Sequence, residues 1–371
     1  MTQLPPDGHV PGVRRIVVLR ANGIGDFVVA VPALAALRCA YPGAEITVLG
    51  DGWLPAFLHE RPGPWDRVLV APRVPGLRHR TKDEPEGDDV ELFVAAERGR
   101  SPDLAVQLHG GGGTSNEFLL RLGARLTVGA RADGAAELDR SVRYASHRNE
   151  VLRWLEVVEL AGAPAPGVAG PEPRIGVTPA DLAESEPLRP DGRYAVLGVG
   201  AADPRRRWPP EAFAAVADHL AGCGLTPVLV GSEDDRGTAV MVADHSTAGC
   251  VDLTGKLTLG GCLGLLHRTT VFVGNDSGPR HLAMAAGVPT VGVFWVDNAL
   301  TFGPLAGPHR AAVSHRVHCP RCGRPQLVER CSHDPSFVED VEVEEVEGLL
   351  DELLEGHRQE RRVALPTVAP G

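Results

Sequence analysis

The segment VFVGNDSGPRHLAMAAGVPTVGVF, residues 271–294, constrains the fold of this chain more than any other stretch. It opens with a strand-like apolar run and continues with the small-residue turn Gly274-Asn275-Asp276-Ser277-Gly278. The pattern then predicts a short alanine-rich helix that ends at Gly287, and a second apolar strand that begins at Pro289. A strand, a turn, a helix and a strand in this order are typical of a parallel α/β sheet.

The same rhythm of strand and helix runs through the first half of the chain. The predicted strands are Arg15–Arg20, Glu45–Leu49, Arg67–Ala71, Leu104–Leu108 and Leu126–Val128. Helices are predicted at Phe27–Ala40, Ser115–Leu122 and Asn149–Leu160, where apolar residues recur with a helical period. Residues 72–102 are predicted to form a long irregular insertion. Such alternation indicates a parallel sheet with helices on both faces.

A proline-rich stretch separates this half from a second one. Residues 166–192 are interpreted as a linker. Beyond it, strands are predicted at Tyr194–Val199, Thr226–Val230, Val251–Leu253, Thr270–Val273 and Thr290–Phe294.

The predicted organisation is therefore an α/β protein with two doubly wound domains facing a cleft. The first domain covers residues 1–165. The second covers residues 193–345 and includes a Cys-rich loop at 315–334. An amphipathic helix and tail follow at 346–371.

Length and charge exclude several classes of protein. The 371 residues suffice for two domains with sizeable cores. The formal charge of −11 argues against a nucleic-acid binder and allows at most transient contact with an anionic membrane. The N-terminal segment lacks the basic and apolar regions of a secretory signal, so we expect a cytoplasmic protein.

The first candidate site follows the first predicted strand, in the sequence Arg20-Ala21-Asn22-Gly23-Ile24-Gly25-Asp26. Gly23 and Gly25 permit a tight turn and leave room for a ligand. Asp26 falls where a helix N-cap is expected. It is either a structural cap or a carboxylate that accepts a proton from a substrate hydroxyl.

Three further sites follow strands of the second half. Three arginines in AADPRRRW either clamp a diphosphate or form a solvated basic loop. Glu233 either accepts hydrogen bonds from a ribose or belongs to an acidic first helical turn. Asp276, Ser277 and His281 either cap and pack a helix or bind a phosphate at its positive end, and the last reading is favoured.

Residues 318–334, HCPRCGRPQLVERCSHD, contain the C-x2-C spacing that lets two thiolates share a tetrahedral ion. Cys319, Cys322, Cys331 and His333 are a candidate Cys3His set for a structural zinc. The alternatives are reduced structural cysteines and a redox role.

These motifs, in this order, resemble the heptosyltransferase family of glycosyltransferases, family 9. The resemblance covers about residues 14–350 and is carried by VVLRANGIGDFVVAVPAL, RRWPPEAFAAVADHL and VGNDSGPRHLAMAAGVPTVGVF. It implies the GT-B fold, with two Rossmann-like domains and a sugar nucleotide held mainly by the C-terminal one. It also implies an inverting reaction without a catalytic metal.

The resemblance further implies roles for individual residues. Asp26 matches the catalytic base. The residues that match the donor-binding positions are Arg206 or Arg207, Glu233, Leu257, Asp276, Ser277, Gly278 and His281. On the acceptor side the candidates are Asn22, Gly23, Gln107 and His109. The last two lie in a glycine-rich segment, QLHGGGGT, whose alternative interpretation is a flexible loop without a ligand.

The expected function is transfer of a heptose or related sugar from an ADP-sugar to an acceptor hydroxyl on a glycan or a small molecule. One alternative is a GT-B transferase that uses another nucleotide sugar with a small-molecule acceptor. Another is a non-catalytic protein that binds sugar nucleotides. No cofactor is expected for catalysis, and a zinc ion in the cysteine cluster would be structural.

Overall fold

The computed structural model describes residues 8–78, 89–164, 171–327 and 329–364. The chain divides into two compact units, Met1–Gly176 and Val177–Gly371. The predicted end of the first domain at residue 165 and the last residues of the predicted tail, 365–371, lie outside the described residues.

The first unit contains a six-stranded sheet with all neighbouring strands parallel, in the order β3-β2-β1-β4-β5-β6. Its strands are β1 Arg15–Leu19, β2 Glu45–Gly50, β3 Arg67–Val70, β4 Leu104–Gln107, β5 Leu126–Arg131 and β6 Arg140–Arg143. Its helices are α1 Ile24–Val28, α2 Val31–Ala40, α3 Leu54–Leu58, α4 Asp89–Gly99, α5 Ser115–Arg121 and α6 Glu150–Glu159.

The second unit repeats this plan with the strand order β12-β11-β10-β7-β8-β9, again parallel throughout. Its strands are β7 Tyr194–Gly198, β8 Thr226–Val230, β9 Val251–Asp252, β10 Val271–Asn275, β11 Thr290–Trp295 and β12 His309–Ser314. Its α-helices are α7 Pro179–Ser185, α8 Pro210–Gly222, α9 Arg236–His245, α10 Leu259–Leu266, α11 Gly278–Ala285, α12 Val296–Phe302 and α13 Val343–Ala364. Short 3₁₀ turns lie at Glu186–Leu188, Pro204–Arg206 and Glu233–Asp235.

Both sheets have the doubly wound order in which the first and fourth strands of the unit are neighbours. The predicted fold class, α/β with two doubly wound domains, is thus confirmed for each unit. All ten predicted strands are present, with ends shifted by up to three residues. The sequence analysis missed β6 and β12. Both are edge strands, and half-exposed residues in each break the apolar runs that reveal buried strands.

The helix predicted at Phe27–Ala40 is two helices in the structure, α1 and α2. The break precedes Pro32, which lacks an amide hydrogen and occupies the first turn of α2. The expectation of an irregular segment over residues 72–102 was wrong for its last third, which forms α4. Residues 79–88 lie outside the described residues.

The segment that the sequence analysis interpreted as a linker, 166–192, contains α7 in its described part. Thr178 and Asp181 form a reciprocal capping box at the start of α7, and a proline occupies the first turn. α7 packs closely on α10: a side chain at Gly264 would meet the backbone of Asp181 at 2.3 Å. The remaining domain boundaries stay predictions.

The C-terminal helix α13 closes the core of the second unit. Its inward positions are Val346, Leu350, Leu353 and Leu354. They share one apolar cluster with Trp208, Trp295, and Cys319 and Cys331 of the Cys-rich loop. Among the described helices, none combines the length and the apolar character needed to cross a bilayer.

Candidate functional site

Most candidate residues lie at one position in each sheet, where the strand order reverses, whereas Glu233, Leu257 and the cysteine cluster lie elsewhere in the second unit. In the first unit that position is the carboxyl end of β1 and β4, which pair through Leu19 and Gln107. In the second unit it is the carboxyl end of β7 and β10, which pair through Gly198 and Gly274. Loops that leave such a point diverge to opposite sides of the sheet, and ligands of open α/β sheets bind in the resulting crevice.

Asp26 lies in the first turn of α1 at the end of β1. The N-cap of this helix is Gly23, so the expectation that Asp26 is the cap was wrong. Asp26 is the third helical residue. Its side chain is 31% exposed, and among the described residues only the Oδ1 atom has a hydrogen-bond partner. The Oδ2 atom is therefore available to a ligand.

The partner of Asp26 is the guanidinium group of Arg20, which is 2% exposed. Arg20 donates from Nη2 to Oδ1 of Asp26 at 2.9 Å and from Nε to the Asp26 carbonyl at 2.7 Å. It also donates from Nη1 to the carbonyl of Leu108 at 2.6 Å, and from Nη2 to Glu150 at 3.2 Å. Burial lowers the pKa of Arg20, and the Asp26 carboxylate opposes this shift. The buried cation thus fixes both the backbone and the carboxylate of Asp26.

Behind Arg20, a second buried pair completes the network. Glu150 accepts hydrogen bonds from both Arg20 and Arg153, and Arg153 is 1% exposed. The Arg20 guanidinium lies 5.0 Å from the ring centroid of Trp154. Two cations and two carboxylates thus balance one another, and only Asp26 extends toward solvent.

His109 follows β4 and lies close to the same network. Burial lowers its pKa to about 4, and the positive charge of Arg20 adds to the shift. Its Nε2 atom lies 3.3 Å from the carbonyl of Gly76, and its Nδ1 atom has no hydrogen-bond partner among the described residues. His109 is therefore neutral at pH 7, and its Nδ1 atom is buried.

Gln107, by contrast, is fully buried and is used within the protein. Its Nε2 atom donates to the His109 carbonyl at 2.5 Å and to Ser115 at 2.8 Å, and its Oε1 atom accepts from the amide of Ala130 at 3.2 Å. These contacts hold the start of the glycine-rich loop in place. They favour a supporting role for Gln107 over direct contact with an acceptor. Asn22 and Gly23 lie in the loop between β1 and α1, and both remain accessible.

In the second unit, Asp276 is 1% exposed at the end of β10 and lies against two guanidinium groups and the imidazole ring of His281. Its Oδ1 atom lies 2.9 Å from Nη2 of Arg280 and 3.4 Å from Nε2 of His281. Nη1 of Arg206 donates to the Asp276 carbonyl at 3.1 Å and lies 3.3 Å from Oδ2. Burial raises the pKa of Asp276, but these three neighbours outweigh it and hold the pKa well below its usual range. Two guanidinium groups against one carboxylate leave a net positive charge.

This positive charge lies at the start of α11. Ser277 is the N-cap, and its side chain makes no capping hydrogen bond. The Ser277 Oγ atom has no partner among the described residues. The amides of Gly278 and Arg280 belong to the first turn, where a helix has no internal acceptors. The structure thus combines free helix-start donors with a partly exposed arginine, and this combination suits a phosphate group.

The three consecutive arginines have three different environments. Arg205 is paired with Asp203 at 2.6 Å and lies over the ring of Trp295 at 5.2 Å, so it is structural. Arg206 reaches Asp276. Arg207 is exposed and donates to the carbonyl of Ala201 at 2.8 Å. The structure therefore favours Arg206 over Arg207 as the arginine at the helix start.

Glu233 lies in the loop after β8, and Gly255 and Leu257 lie in the loop after β9. The two loops are in close contact at Gly255. Gly255 has a φ of +71°, and a side chain there would meet Oε2 of Glu233 at 2.3 Å. Glu233 is exposed and forms a bidentate pair with Arg236, with distances of 2.7 and 2.6 Å. This pairing lowers the pKa of Glu233. Leu257 is half-buried two residues beyond Gly255.

The cysteine cluster lies between β12 and α13. The ligand atoms of Cys319, Cys322, Cys331 and His333 all lie within 4.8 Å of one another. In a tetrahedral zinc site with Zn–S bonds of about 2.3 Å, neighbouring sulfur atoms are about 3.8 Å apart, so the cluster has the size of such a site. All three thiols are free, with no disulfide. The structure thus brings the four predicted ligands together.

The cluster is built on a tight turn. The amide of Gly323 donates to the carbonyl of Cys319 at 2.8 Å, and Gly323 has a φ of +72°. Burial alone would raise the pKa of Cys319. Hydrogen bonds from the backbone amides of Arg321 and Cys322 to its sulfur lower the pKa below its ordinary value. Such amides stabilise the thiolate form, which is the form that binds metal.

Sequence reasoning missed the supporting residues: Arg20, Glu150, Arg153, Asn275 and Arg280. Asn275 accepts from the Trp208 amide at 3.0 Å and donates to the Val199 carbonyl at 3.0 Å, so it joins the end of the three-arginine segment to the end of β7. The available signal was a polar residue at the end of an apolar strand. Both Arg20 and Asn275 fit this description.

A scan against protein-family models finds glycosyltransferase family 9 (heptosyltransferase) over residues 111–332. Among curated relatives, lipooligosaccharide heptosyltransferase 2 of Haemophilus influenzae is 25% identical over 318 residues. That alignment covers 78% of this chain and 86% of the relative.

Solved structures agree in fold. A glycosyl transferase family 9 protein from Veillonella parvula matches with a TM-score of 0.72 at 20% identity and covers 92% of this chain and 97% of that one. ADP-heptose LPS heptosyltransferase II of E. coli matches with a TM-score of 0.69 at 18% identity and covers 93% and 99%. The predicted GT-B architecture is thereby confirmed. Since the family model spans more than half of its length, this chain belongs to glycosyltransferase family 9 and is a transferase of the heptosyltransferase type.

Proposed function

We propose that this transferase moves a heptose from ADP-heptose to an acceptor hydroxyl, with inversion at the anomeric carbon and with Asp26 as the general base. The observation that carries the proposal is the state of Asp26. Arg20 holds its Oδ1 atom at 2.9 Å, while Oδ2 has no partner among the described residues. A carboxylate fixed at one oxygen and open at the other is suited to accept a proton from a substrate.

The proposed reaction has one displacement step. The acceptor hydroxyl donates its proton to Oδ2 of Asp26 as its oxygen forms a bond to the anomeric carbon. The bond between that carbon and the β-phosphate oxygen breaks, and ADP leaves with the electron pair. Attack from the face opposite the leaving group inverts the configuration.

The negative charge that develops on ADP requires positive potential. Arg206 and the amides at the start of α11 supply it in our proposal, in the place where other transferases use a metal ion. Asp276 is buried with Arg280 on its other side, so we assign it the role of holding Arg206 rather than of contacting the donor. Ser277, Gly278 and His281 complete the proposed phosphate site.

The proposed nucleoside site lies at the loops after β8 and β9. Glu233 accepts from the ribose hydroxyls, which requires its exposed pair with Arg236 to open or to be shared. Leu257 packs against the base. His109, Asn22 and Gly23 lie beside Asp26 at the end of β1 and β4 and are proposed to meet the acceptor.

The names of the relatives support the substrates. ADP-heptose appears in the name of the E. coli enzyme, and lipooligosaccharide in that of the Haemophilus enzyme. We propose the inner core of such a glycan as the acceptor.

The test is a panel of nucleotide sugars incubated with a truncated lipopolysaccharide core or with small hydroxylated acceptors. ADP release and the anomeric configuration of the product are measured. We expect ADP-heptose and the core to be the best pair. Preference for another nucleotide, or retention of configuration, would refute the corresponding part of the proposal.

The matched variants are Asp26→Asn and Glu137→Gln. Glu137 is an exposed carboxylate of the same unit, paired with Arg131 at 3.5 Å. We expect Asp26→Asn to bind ADP as wild type does and to lose turnover by about 10²- to 10⁴-fold. Glu137→Gln should behave as wild type. Unchanged turnover in Asp26→Asn would remove Asp26 from the reaction.

We further propose that Cys319, Cys322, Cys331 and His333 hold one structural zinc ion. The set is closed, with four protein ligands and a soft, thiolate-rich donor group, as in structural zinc sites. Elemental mass spectrometry should find about one zinc per chain, and Cys322→Ser should lose it. The control is Cys39→Ser, which changes an exposed cysteine of the first unit, outside the cluster. Iron in place of zinc would correct the identity of the metal.

A further inference from the structure

The Cys/His loop, residues 315–327 and 329–342, contacts more than its own metal ligands. Of the residues described between β12 and α13, none belongs to a helix or to a strand of the sheets, and one isolated bridge joins His318 and Pro325. A loop of this kind depends on cross-links for a fixed shape. We infer that the metal bound by the Cys/His loop positions the arginine turn, Asp203–Trp208, and thereby sets the affinity for the donor nucleotide. This inference rests on the proposed roles of Arg206 and of the zinc site.

The first support is a row of hydrogen bonds between the loop and the turn. The amide of Phe337 donates to the carbonyl of Arg205 at 2.8 Å, and the Oγ atom of Ser336 donates to the carbonyl of Arg207 at 2.7 Å. The indole of Trp208 donates to the carbonyl of Val341 at 3.0 Å. The loop therefore holds the backbone on both sides of Arg206, whose own side chain reaches Asp276.

Charged contacts add to this row. Arg330 pairs with Asp334 at 2.7 Å and lies 3.9 Å from Asp203, which caps the 3₁₀ turn by accepting from the amide of Arg205 at 3.0 Å. Arg330 immediately precedes the metal-ligand candidate Cys331. A shift of the ligand would therefore move a residue that touches the turn.

Trp295 provides a second connection through the core. Its indole donates to the carbonyl of Arg316 at 2.6 Å, and its ring lies 5.0 Å from that of Phe337. The Arg205 guanidinium lies over the ring of Trp295, 5.2 Å from its centroid. Cys319 and Cys331 are 2% and 6% exposed and belong to the same apolar cluster. Residues near both ends of the Cys/His loop thus contact Trp295, and Trp295 in turn contacts the arginine turn.

The physical consequence concerns entropy. A metal that joins four side chains of an otherwise irregular loop restricts it before the ligand arrives. Without the metal, the turn that carries Arg206 has to be ordered when the nucleotide binds. Ordering the turn and its long arginine side chain on binding costs free energy, so we expect loss of the metal to weaken ADP binding by about 10-fold, which corresponds to about 1.4 kcal/mol.

The experiment separates the loop from its metal. The double variant Arg330→Ala/Ser336→Ala keeps all four ligands and removes two side-chain contacts with the turn. We expect it to retain one zinc per chain and to raise the Kd for ADP about 10-fold, with donor KM raised and kcat little changed. Cys322→Ser should lose the zinc and weaken ADP binding at least as much.

The matched control is Arg324→Ala. Arg324 lies in the same loop and pairs with exposed Glu329 at 3.7 Å. We expect wild-type zinc content and wild-type ADP affinity from this variant.

A double-mutant cycle tests whether the loop acts through Arg206. In the Arg206→Ala background, Cys322→Ser should add no further loss of ADP affinity, whereas a merely structural effect would add its full loss. Full additivity would overturn the inference. So would ADP affinity that is unchanged in zinc-free Cys322→Ser, or a metal-free wild-type protein, with its thiols reduced, that binds ADP as tightly as the zinc-loaded one. Failure of the wild-type protein to bind ADP would instead refute the proposed donor site.

Discussion

Each sheet has an ion pair where its strand order reverses, and the two pairs differ in which ion is buried. At the end of β1 the buried member is the cation: Arg20 is 2% exposed and Asp26 is 31% exposed. At the end of β10 the buried member is the anion: Asp276 is 1% exposed and Arg206 is 23% exposed. The strand order and the position of the site are the same in both units.

This difference shows how one fold can present either charge. The buried ion of each pair holds an ion of the opposite charge at the surface, while the two sheets keep equivalent strand orders. A carboxylate toward solvent suits proton transfer, and a guanidinium toward solvent suits a diphosphate. We expect the buried ion of each pair to stabilise the fold and the exposed ion to meet the substrate.

The largest effect is expected on stability. Removing the buried member of such a pair leaves its buried partners unsatisfied and costs about 3–5 kcal/mol. Arg20→Met and Asp276→Asn should each lower the free energy of unfolding by about this amount, measured by urea denaturation. The exposed members, changed in Asp26→Asn and Arg206→Gln, should stay within about 1 kcal/mol of wild type. Equal losses from all four would show that the two members do not differ in role.

Acid should destabilise the first site through His109. Its folded pKa is about 4, below the ordinary value of 6.5, so the unfolded chain binds more protons between these values. Stability from this group is present above about pH 6.5 and is lost as the pH falls toward 4, by up to about 3 kcal/mol. Unfolding of His109→Asn should depend less steeply on pH in this window. Parallel pH profiles of variant and wild type would contradict the prediction.

Donor binding should depend on Arg206 more than on Arg207. A hydrogen bond to a charged group contributes about 1.5–3 kcal/mol, so Arg206→Ala should weaken ADP binding by about 10- to 150-fold. Arg206→Lys should recover part of this loss, because it restores the charge without the planar donor group. Arg207→Ala is the matched comparison, since its guanidinium bonds to the carbonyl of Ala201. A larger loss from Arg207→Ala, by calorimetry, would reverse the assignment.

The smallest effect is expected at Ser277. Its hydroxyl has no partner among the described residues, so Ser277→Ala should leave the free energy of unfolding nearly unchanged. Because its hydroxyl is an uncharged donor, we expect its bond to a phosphate to contribute less than that of Arg206, about 0.5–1.5 kcal/mol or about 2- to 12-fold in the Kd for ADP. Loss of stability without loss of affinity would identify Ser277 as a helix cap only.

The sequence predicted the fold well because apolar runs of strand length alternate with helical periods. Of the twelve strands in the described part of the chain, ten were predicted, and the other two lie at sheet edges where half-exposed residues interrupt the pattern. The break between α1 and α2 was not predicted, although Pro32 in the first turn of α2 was a local signal for it. α4 was missed because it follows a charged stretch without a clear apolar period.

The sequence proposed candidate site residues but left the roles among them open. Three arginines in a row are equivalent in a sequence, and only their neighbours distinguish them: Asp203 with Trp295, Asp276, and the carbonyl of Ala201. Gln107 appeared able to meet an acceptor, but its hydrogen bonds are used within the loop. These differences arise from contacts between residues far apart in the chain.

By itself the sequence determined that parallel sheets form, where their strands end and which residue types follow them, since apolar periodicity and turn glycines are local properties. Tertiary structure decided which ion of each pair is buried, because burial depends on what packs behind it: Glu150 and Trp154 behind Arg20, and Arg280 behind Asp276. It also decided that Cys331 and His333 return to Cys319 and Cys322, because a thiol finds its partners only where the loop folds back on the core.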